Sequence, residues 1–254
     1  MDVVERGQLA PERAAGHWYY RAKFELLLAR LNRAGCLRPE TRIADVGCGV
    51  GLFLTFLEKL AHVAPTQLLG IDSAYPAPST AGGGRATILP AWPDGKTVDT
   101  ALLMDVLEHT PDDVAVLRET ADHVEERGHV FITVPAFSWM FSAHDRFLGH
   151  YRRYTLNGLR SLIRACGDLE IVESHYFYAS IFPAAALWRL ARKSRGARVC
   201  SDMVELPAWL NTLLRAISRA ELQWASKNRL AGLSVVALCR KTAPAAARAR
   251  AAAA

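Results

Sequence analysis

Apolar residues along this chain fall into short blocks of two kinds, separated by turn-forming residues. Blocks of strand length cover 41–47, 67–72, 86–91, 98–104, 129–135, 169–177 and 232–240. Between them, apolar positions recur at helical spacing. Phe24, Leu27, Leu28 and Leu31 mark a helix over 17–34, and Phe53, Phe56, Leu57 and Leu60 mark one after the first strand. A further helix is predicted over 155–166. Thr110-Pro111-Asp112-Asp113 reads as a helix start, with a cap residue, a first-turn proline and acids at the positive end of the dipole. Residues 74–85 hold Pro76, Pro78 and Gly82-Gly83-Gly84 and read as loop. Strands alternating with helices predict an α/β fold with an open sheet. Before the last strand, 179–230 forms an insertion of two or three helices. Ile181, Phe182, Leu187, Trp188 and Leu190 make one apolar group there, and Leu206, Trp209, Leu210, Leu213, Leu214 and Ile217 a second.

Composition narrows the picture. A chain of 254 residues, 51% hydrophobic, can bury one full core, so residues 1–254 are expected to form a single domain. No stretch is apolar for the length of a membrane-spanning helix, and Met1 to Arg13 is too mixed and charged for a secretory signal. The five cysteines (Cys36, Cys48, Cys166, Cys200, Cys239) are scattered without metal-ligand spacing, which predicts reduced thiols in a cytoplasmic protein. The net charge of +6 permits an anionic partner without requiring one. Part of it lies beyond Lys241, where 243–254 is expected to be a disordered tail. The insertion holds nine basic residues against three acids. It is expected to be a lid over a substrate pocket, a surface resting on anionic membrane, or a plain helical extension.

The chemistry concentrates in Ile43-Ala44-Asp45-Val46-Gly47-Cys48-Gly49-Val50-Gly51. A strand ending in alternate glycines and running into a helix lets the backbone approach a ligand with no Cβ in the way. A dinucleotide fingerprint starting at Gly47 would need glycine at 52, where this chain has Leu52. Asp72 ends the next strand, 21 residues after Gly51, where an acid can accept hydrogen bonds from ribose hydroxyls. Asp45, the three glycines and Asp72, together with Met104-Asp105-Val106-Leu107-Glu108-His109, resemble the class I S-adenosylmethionine (SAM)-dependent methyltransferases. The resemblance covers roughly 15–178 plus the last strand. It implies a doubly wound, mostly parallel, seven-stranded Rossmann-like sheet, with SAM as cofactor. By the same resemblance Asp45, Gly47, Gly49, Gly51 and Asp72 would hold the cofactor, Asp105 and His109 would border it, and Trp18 would belong to a cap of aromatics over it. The family's usual acid after the third strand is missing, and backbone groups and stacking on Trp92 would serve adenine instead.

Groups for the methyl acceptor gather after the fifth strand, in Ala143 to Tyr154. His144 or His150, with Asp145 nearby, would be the base, and Arg152, Arg153 and Tyr154 would hold a carboxylate, phosphate or sugar-phosphate. The segment resembles a branch of bacterial methyltransferases linked to sugar or lipid-linked substrates, so the expected acceptor is a small molecule or glycolipid. A nucleic-acid methyltransferase fits less well, because the amino-directed members carry Asn or Asp, two prolines and an aromatic after strand four, where this chain reads Asp105-Val106-Leu107-Glu108. A SAM-binding protein that transfers no methyl is the reading from another class, and the two histidines count against it.

Overall fold

The computed structural model describes residues 11–194 and 205–242. Its strands are β1 (Ile43–Val46), β2 (Leu68–Ile71), β3 (Ser79–Thr80), β4 (Thr87–Leu89), β5 (Val98–Met104), β6 (Val124–Pro135), β7 (Leu169–Phe177) and β8 (Ser234–Lys241). Among the described residues they form one sheet in the order β3-β4-β2-β1-β5-β6-β8-β7. The pairs β4-β2, β2-β1, β1-β5 and β5-β6 are parallel, and β8 is antiparallel to both neighbours. The helices are α1 (Pro11–Gly16), α2 (Trp18–Arg33), α3 (Leu52–Leu60), α4 (Asp113–Asp122), α5 (Ala143–Leu148), α6 (Leu156–Cys166), α7 (Phe182–Ser194) and α8 (Ala208–Glu221). None of the described helices is long and apolar enough to cross a membrane.

Side-chain alternation divides the sheet into two buried faces. On one, Ile43, Leu102, Met104, Phe131, Val236 and Leu238 pack with α2 and α3 through Phe24, Leu27, Leu54 and Phe56. On the other, Ala44, Val46, Leu103, Ile132, Val134 and Ala237 pack with α4 and α6 through Leu117, Leu159 and Ile163. Each fully buried Leu, Ile or Phe contributes roughly 1.5–3 kcal/mol over its exposed state. Asp45 lies between Ala44 and Val46, so the same alternation points it into the first face, and it is 1% exposed.

The sheet has eight strands where seven were expected. The addition is β3, two residues inside the segment read as loop, paired antiparallel to β4. No helix joins β2 to β4. The connection instead lies across the glycine loop, with Gly82 N donating to Val50 O at 3.0 Å. Helix α1 was not foreseen. His17 is the cap of α2, its ring accepting from Tyr19 N. Strand β6 starts five residues early, and a register shift against β5 absorbs the extra length. Between β7 and β8 the described part of the insertion is α7, α8 and a single 3-10 turn at Ala225–Lys227. It packs on the core through Ile181, Leu222 and Ala225, and polar contacts fix it in place. Glu221 accepts from Ala179 N and Ser180 N, Asn211 accepts from Trp18 N and donates to Gly16 O, and Arg215 pairs with Glu25. The basic cluster 195–198 and Cys200, like the tail 243–254, lie outside the described residues.

Gly232, just before β8, marks a backbone-on-backbone approach. A Cβ there would stand 2.3 Å from Phe177 O. Gly232→Ala is therefore expected to destabilise the fold by about 1–3 kcal/mol. At about 2–4 °C per kcal/mol for a chain of this size, thermal unfolding should register a lower Tm.

Candidate functional site

The carboxyl ends of β1, β2, β5 and β6 meet at one edge of the sheet, where open α/β folds bind ligands. After β1 the chain turns through Gly47, Gly49 and Gly51, all in the left-handed region at φ +66°, +55° and +73°. A Cβ at Gly47 would sit 2.8 Å from a Val106 methyl, and one at Gly51 2.6 Å from the Ala81 Cβ. Gly47 N donates to Ile71 O at 2.7 Å, tying the turn to the end of β2. Asp72 closes the arrangement. One carboxylate oxygen accepts from Gly49 N at 2.7 Å and the other from Ala74 N at 2.9 Å. Tyr75 OH donates to Gly49 O at 2.9 Å.

Above this edge lies a cavity of about 740 Å³. Gly47, Gly49, Asp72, Asp105, His109 and Trp18 border it, as do His144, His150 and Arg153 on the other side. Ile181 just before α7, Trp188 and Arg189 on it, and Leu206 and Leu214 further along the insertion form part of its wall. The described part of the insertion therefore lines one side of the cavity. Asp45 and Gly51 do not border it; Gly51 packs on Ala81, and both Asp45 oxygens are buried without a hydrogen-bond partner. Burial pushes the Asp45 carboxyl up to about 7, with Asp72 adding to the rise. Trp92 is also elsewhere, stacked on His123 with centroids 4.4 Å apart.

The floor is an ion pair that the sequence reading missed. Lys23, 1% exposed, pairs with Asp105, which also accepts from Tyr19 OH at 3.2 Å and from Thr133 Oγ1 at 2.9 Å. Burial alone would raise the Asp105 carboxyl, but Lys23 and these hydrogen bonds hold it below its ordinary value. Asp105 adopts φ +59°, unusual for a residue with a side chain. Lys23 was discoverable. It sits on the apolar stripe of α2 with Tyr20, Phe24 and Leu27, where a lone lysine needs a partner. Glu108 lies in the short turn that follows β5. It is wholly buried, both carboxylate oxygens lack a partner, and burial followed by the Asp105 charge pushes its pKa well up.

On the far side, Asp145 is a hub rather than a cavity group. It accepts from Ser142 N at 2.8 Å and Ser142 Oγ at 3.0 Å, capping α5, and pairs with His150 Nδ1 at 3.0 Å. Arg153 holds it in a fork, Nε to Oδ1 at 2.6 Å and a terminal nitrogen to Oδ2 at 3.0 Å. Burial opposes the charge, yet His150 and Arg153 keep this carboxyl far below its usual range. His144 is buried, and burial, with Arg189 beside it, pushes its pKa down to about 3. The expectation that Arg152, Arg153 and Tyr154 form an anion grip needs correction. Arg153 is committed to Asp145 although it touches the cavity, while Arg152 and Tyr154 both bond Asp113 at the start of α4, at 3.0 and 2.8 Å, and do not border the cavity. Internal acids claim these side chains.

The family of methyltransferase domains matches residues 17–199. No curated protein is significantly similar in sequence. Among solved structures, the plantazolicin methyltransferase BpumL in complex with SAH aligns with a TM-score of 0.54 at 13% identity, covering 94% of this chain and 94% of that one. BpumL with a pentazolic desmethylPZN analog and SAH gives 0.55 at 13% identity, over 89% of this chain and 85% of that one. A protein from Galdieria sulphuraria, described as a sarcosine dimethylglycine methyltransferase, aligns with a TM-score of 0.53 at 18% identity, covering 87% of this chain and 84% of that one. These likenesses carry the fold, and the matched span carries the family. The chain belongs to the methyltransferase-domain family, the class I SAM-dependent methyltransferases.

Proposed function

We propose that this protein transfers a methyl group from SAM to a small-molecule or sugar- or lipid-linked acceptor, and that both reactants share the cavity at the carboxyl edge of the sheet. The observation that carries the reading is continuity: one space runs from Gly47, Gly49 and Asp72 to His144 and His150. The residues on the glycine side suit SAM. Two positions without a Cβ permit close backbone approach, and the partly buried Asp72 can accept from ribose hydroxyls. Asp45 is a buried carboxylate without a partner behind the glycine turn, the kind of group an ammonium in the cavity would stabilise through water. Trp18, edge-on to Tyr178 with centroids 5.5 Å apart, is the aromatic cap on that side, with Asp105 and His109 at its border. The cofactor supplies a methyl group already activated on a sulfonium.

What remains for the protein is to align the acceptor, exclude water and deal with the acceptor's proton. Water exclusion falls to the roof formed by α7 and the start of α8. His150, oriented through Nδ1 by Asp145, is the group that meets the acceptor oxygen or nitrogen. His144 is neutral at physiological pH and too weak a base to hold a proton, so its part is to accept a hydrogen bond.

The same roof suggests how a lipid-linked acceptor arrives. Leu187 and Trp209 are 70% and 68% exposed, and Trp188 borders the cavity while half-exposed. The insertion also carries Arg219, Lys227 and Arg229, and an apolar surface with basic residues on the same insertion suits contact with an anionic membrane.

Three outcomes test the reading. Asp72→Ala should weaken binding of SAM and of its demethylated product by about 1–3 kcal/mol in calorimetry, with the circular dichroism spectrum intact. Unchanged affinity would remove Asp72 from the site, and a screen with methyl-labelled SAM then identifies the acceptor. A second test concerns Asp45, whose raised pKa means the folded state holds its proton more tightly than the unfolded state. That contribution to stability is present below about pH 4 and lost as pH rises through about 7. In the ligand-free protein Asp45→Asn should therefore raise Tm at pH 8, with the gain shrinking toward pH 5; a gain that is flat with pH would show that the carboxyl is not strained. Finally, the protein should sediment with anionic vesicles at low salt and be released at high salt. Absence of sedimentation at low salt discards the membrane contact and leaves the roof as a lid alone.

A further inference from the structure

Where the turn after β5 meets the loop after α5, Glu108, His109 and His150 bring one ligand atom each within 4.8 Å of one another, the group among the described residues with metal-ligand character. Their proximity is built. Tyr151 N donates to Glu108 O at 2.7 Å, which pins one segment against the other, and the rings of His109 and His150 stand edge to face with centroids 4.5 Å apart. Two further features separate this cluster from an ordinary polar patch. Glu108 borders the cavity and is wholly buried, yet neither carboxylate oxygen has a hydrogen-bond partner. A carboxylate so placed is costly to keep ionised unless a cation or a proton meets it. His150 is the second. Asp145 takes Nδ1 at 3.0 Å, which leaves Nε2 as the available donor, and Asp145 is itself fixed by the Arg153 fork. A carboxylate behind a histidine is the usual outer-shell support of a metal-bound imidazole.

We propose that Glu108, His109 and His150 bind a divalent transition-metal ion at the acceptor end of the cavity. Two imidazoles and one carboxylate suit Zn²⁺, Mn²⁺, Fe²⁺ or Co²⁺ better than Mg²⁺ or Ca²⁺, which favour all-oxygen sites. Bonds of about 2.0–2.2 Å would draw the three side chains slightly closer than they stand. Three protein ligands leave positions open toward the cavity. The acceptor class this favours presents oxygen donors, such as a carboxylate, a phosphate or neighbouring hydroxyls; this last step rests on the methyl-transfer reading, while the metal site does not. His150 then meets the acceptor through the ion, and no basic side chain need be free to bind the acceptor's oxygens.

The probe is Co²⁺, titrated into the full chain after chelator treatment and followed by its visible spectrum and by calorimetry. One equivalent should bind. His109→Ala, at a half-buried position that tolerates truncation, should weaken binding by more than the roughly 10–100-fold typical of losing an outer-shell partner. Glu108→Gln should act in the same direction, with folding checked by circular dichroism. His123→Ala, a histidine stacked on Trp92, should bind as the unaltered protein does. Asp72→Ala should lose affinity for SAM and keep Co²⁺, so a failed cofactor reading and a failed metal site give different results. Failure of the unaltered chain to take up one equivalent, or His109→Ala and His150→Ala both binding unchanged, would overturn the proposal.

Discussion

The ion pair between Lys23 and Asp105 joins the N-terminal helix to the carboxyl edge of the sheet, and much of the site is arranged around it. Lys23 is buried while Asp105 stays partly open to the cavity, and removing Asp105 would leave the lysine charged and buried, which typically costs about 3–5 kcal/mol. The pair is hydrogen-bonded on every side. Lys23 donates to Tyr19 OH at 2.7 Å, and Asp105 also receives Thr133 from β6. It places α2 over the sheet with a definite rotation, which turns Trp18 and Tyr19 toward the cavity. Tyr178, at the end of β7, then stacks on Tyr19 at 5.3 Å and donates to its carbonyl at 2.6 Å, so the far edge of the sheet is tied to the same helix. Helix α8 completes the layer by capping α2 through Asn211.

Asp145 organises the opposite wall in the same way. A single buried carboxylate caps α5, orients His150 and anchors Arg153. Arg189 from the roof approaches it within 3.9 Å. The two walls therefore depend on two acids of different character. Asp105 is neutralised by a lysine point charge, and Asp145 by a planar guanidinium that fixes direction as well as charge.

Local rules explain what could be read in the sequence. The glycine turn and Asp72 were legible because a strand end, three left-handed positions and an acid after the next strand all show within thirty residues. The strands were legible because burial on both faces leaves continuous apolar runs. Pairings were not. Lys23 and Asp105 lie 82 positions apart, and nothing local marks them as partners. Arg152 and Tyr154 looked like an anion grip because they lie in a polar loop beside the site, yet Asp113, remote in sequence, takes both. Trp92 fails for a similar reason, since an aromatic ring near a cofactor can equally find His123. Glu108 shows the converse. Its lack of any partner is a property of its surroundings in three dimensions, and no sequence pattern displays it.

The missing crossover between β2 and β4 has a consequence beyond the cavity. Without a covering helix on that flank, the sheet ends in β3, a strand of two residues preceded by Pro76 and Pro78. An edge this short offers few backbone groups to a strand from another molecule, and the prolines before it break any longer template. The other margin, β7, is nine residues long and carries an irregularity between Ile171 and Glu173, with Glu170 and Glu173 along it. One margin is guarded against intermolecular sheet extension by brevity, the other by its irregularity and by Asn228, whose carbonyl accepts from Tyr176 N at 3.0 Å. The short margin also leaves the segment beside the glycine turn without a rigid helix, so single contacts set its shape: Tyr75 on Gly49, Gly82 on Val50, Thr55 on Gly82 and Ala81 against the core.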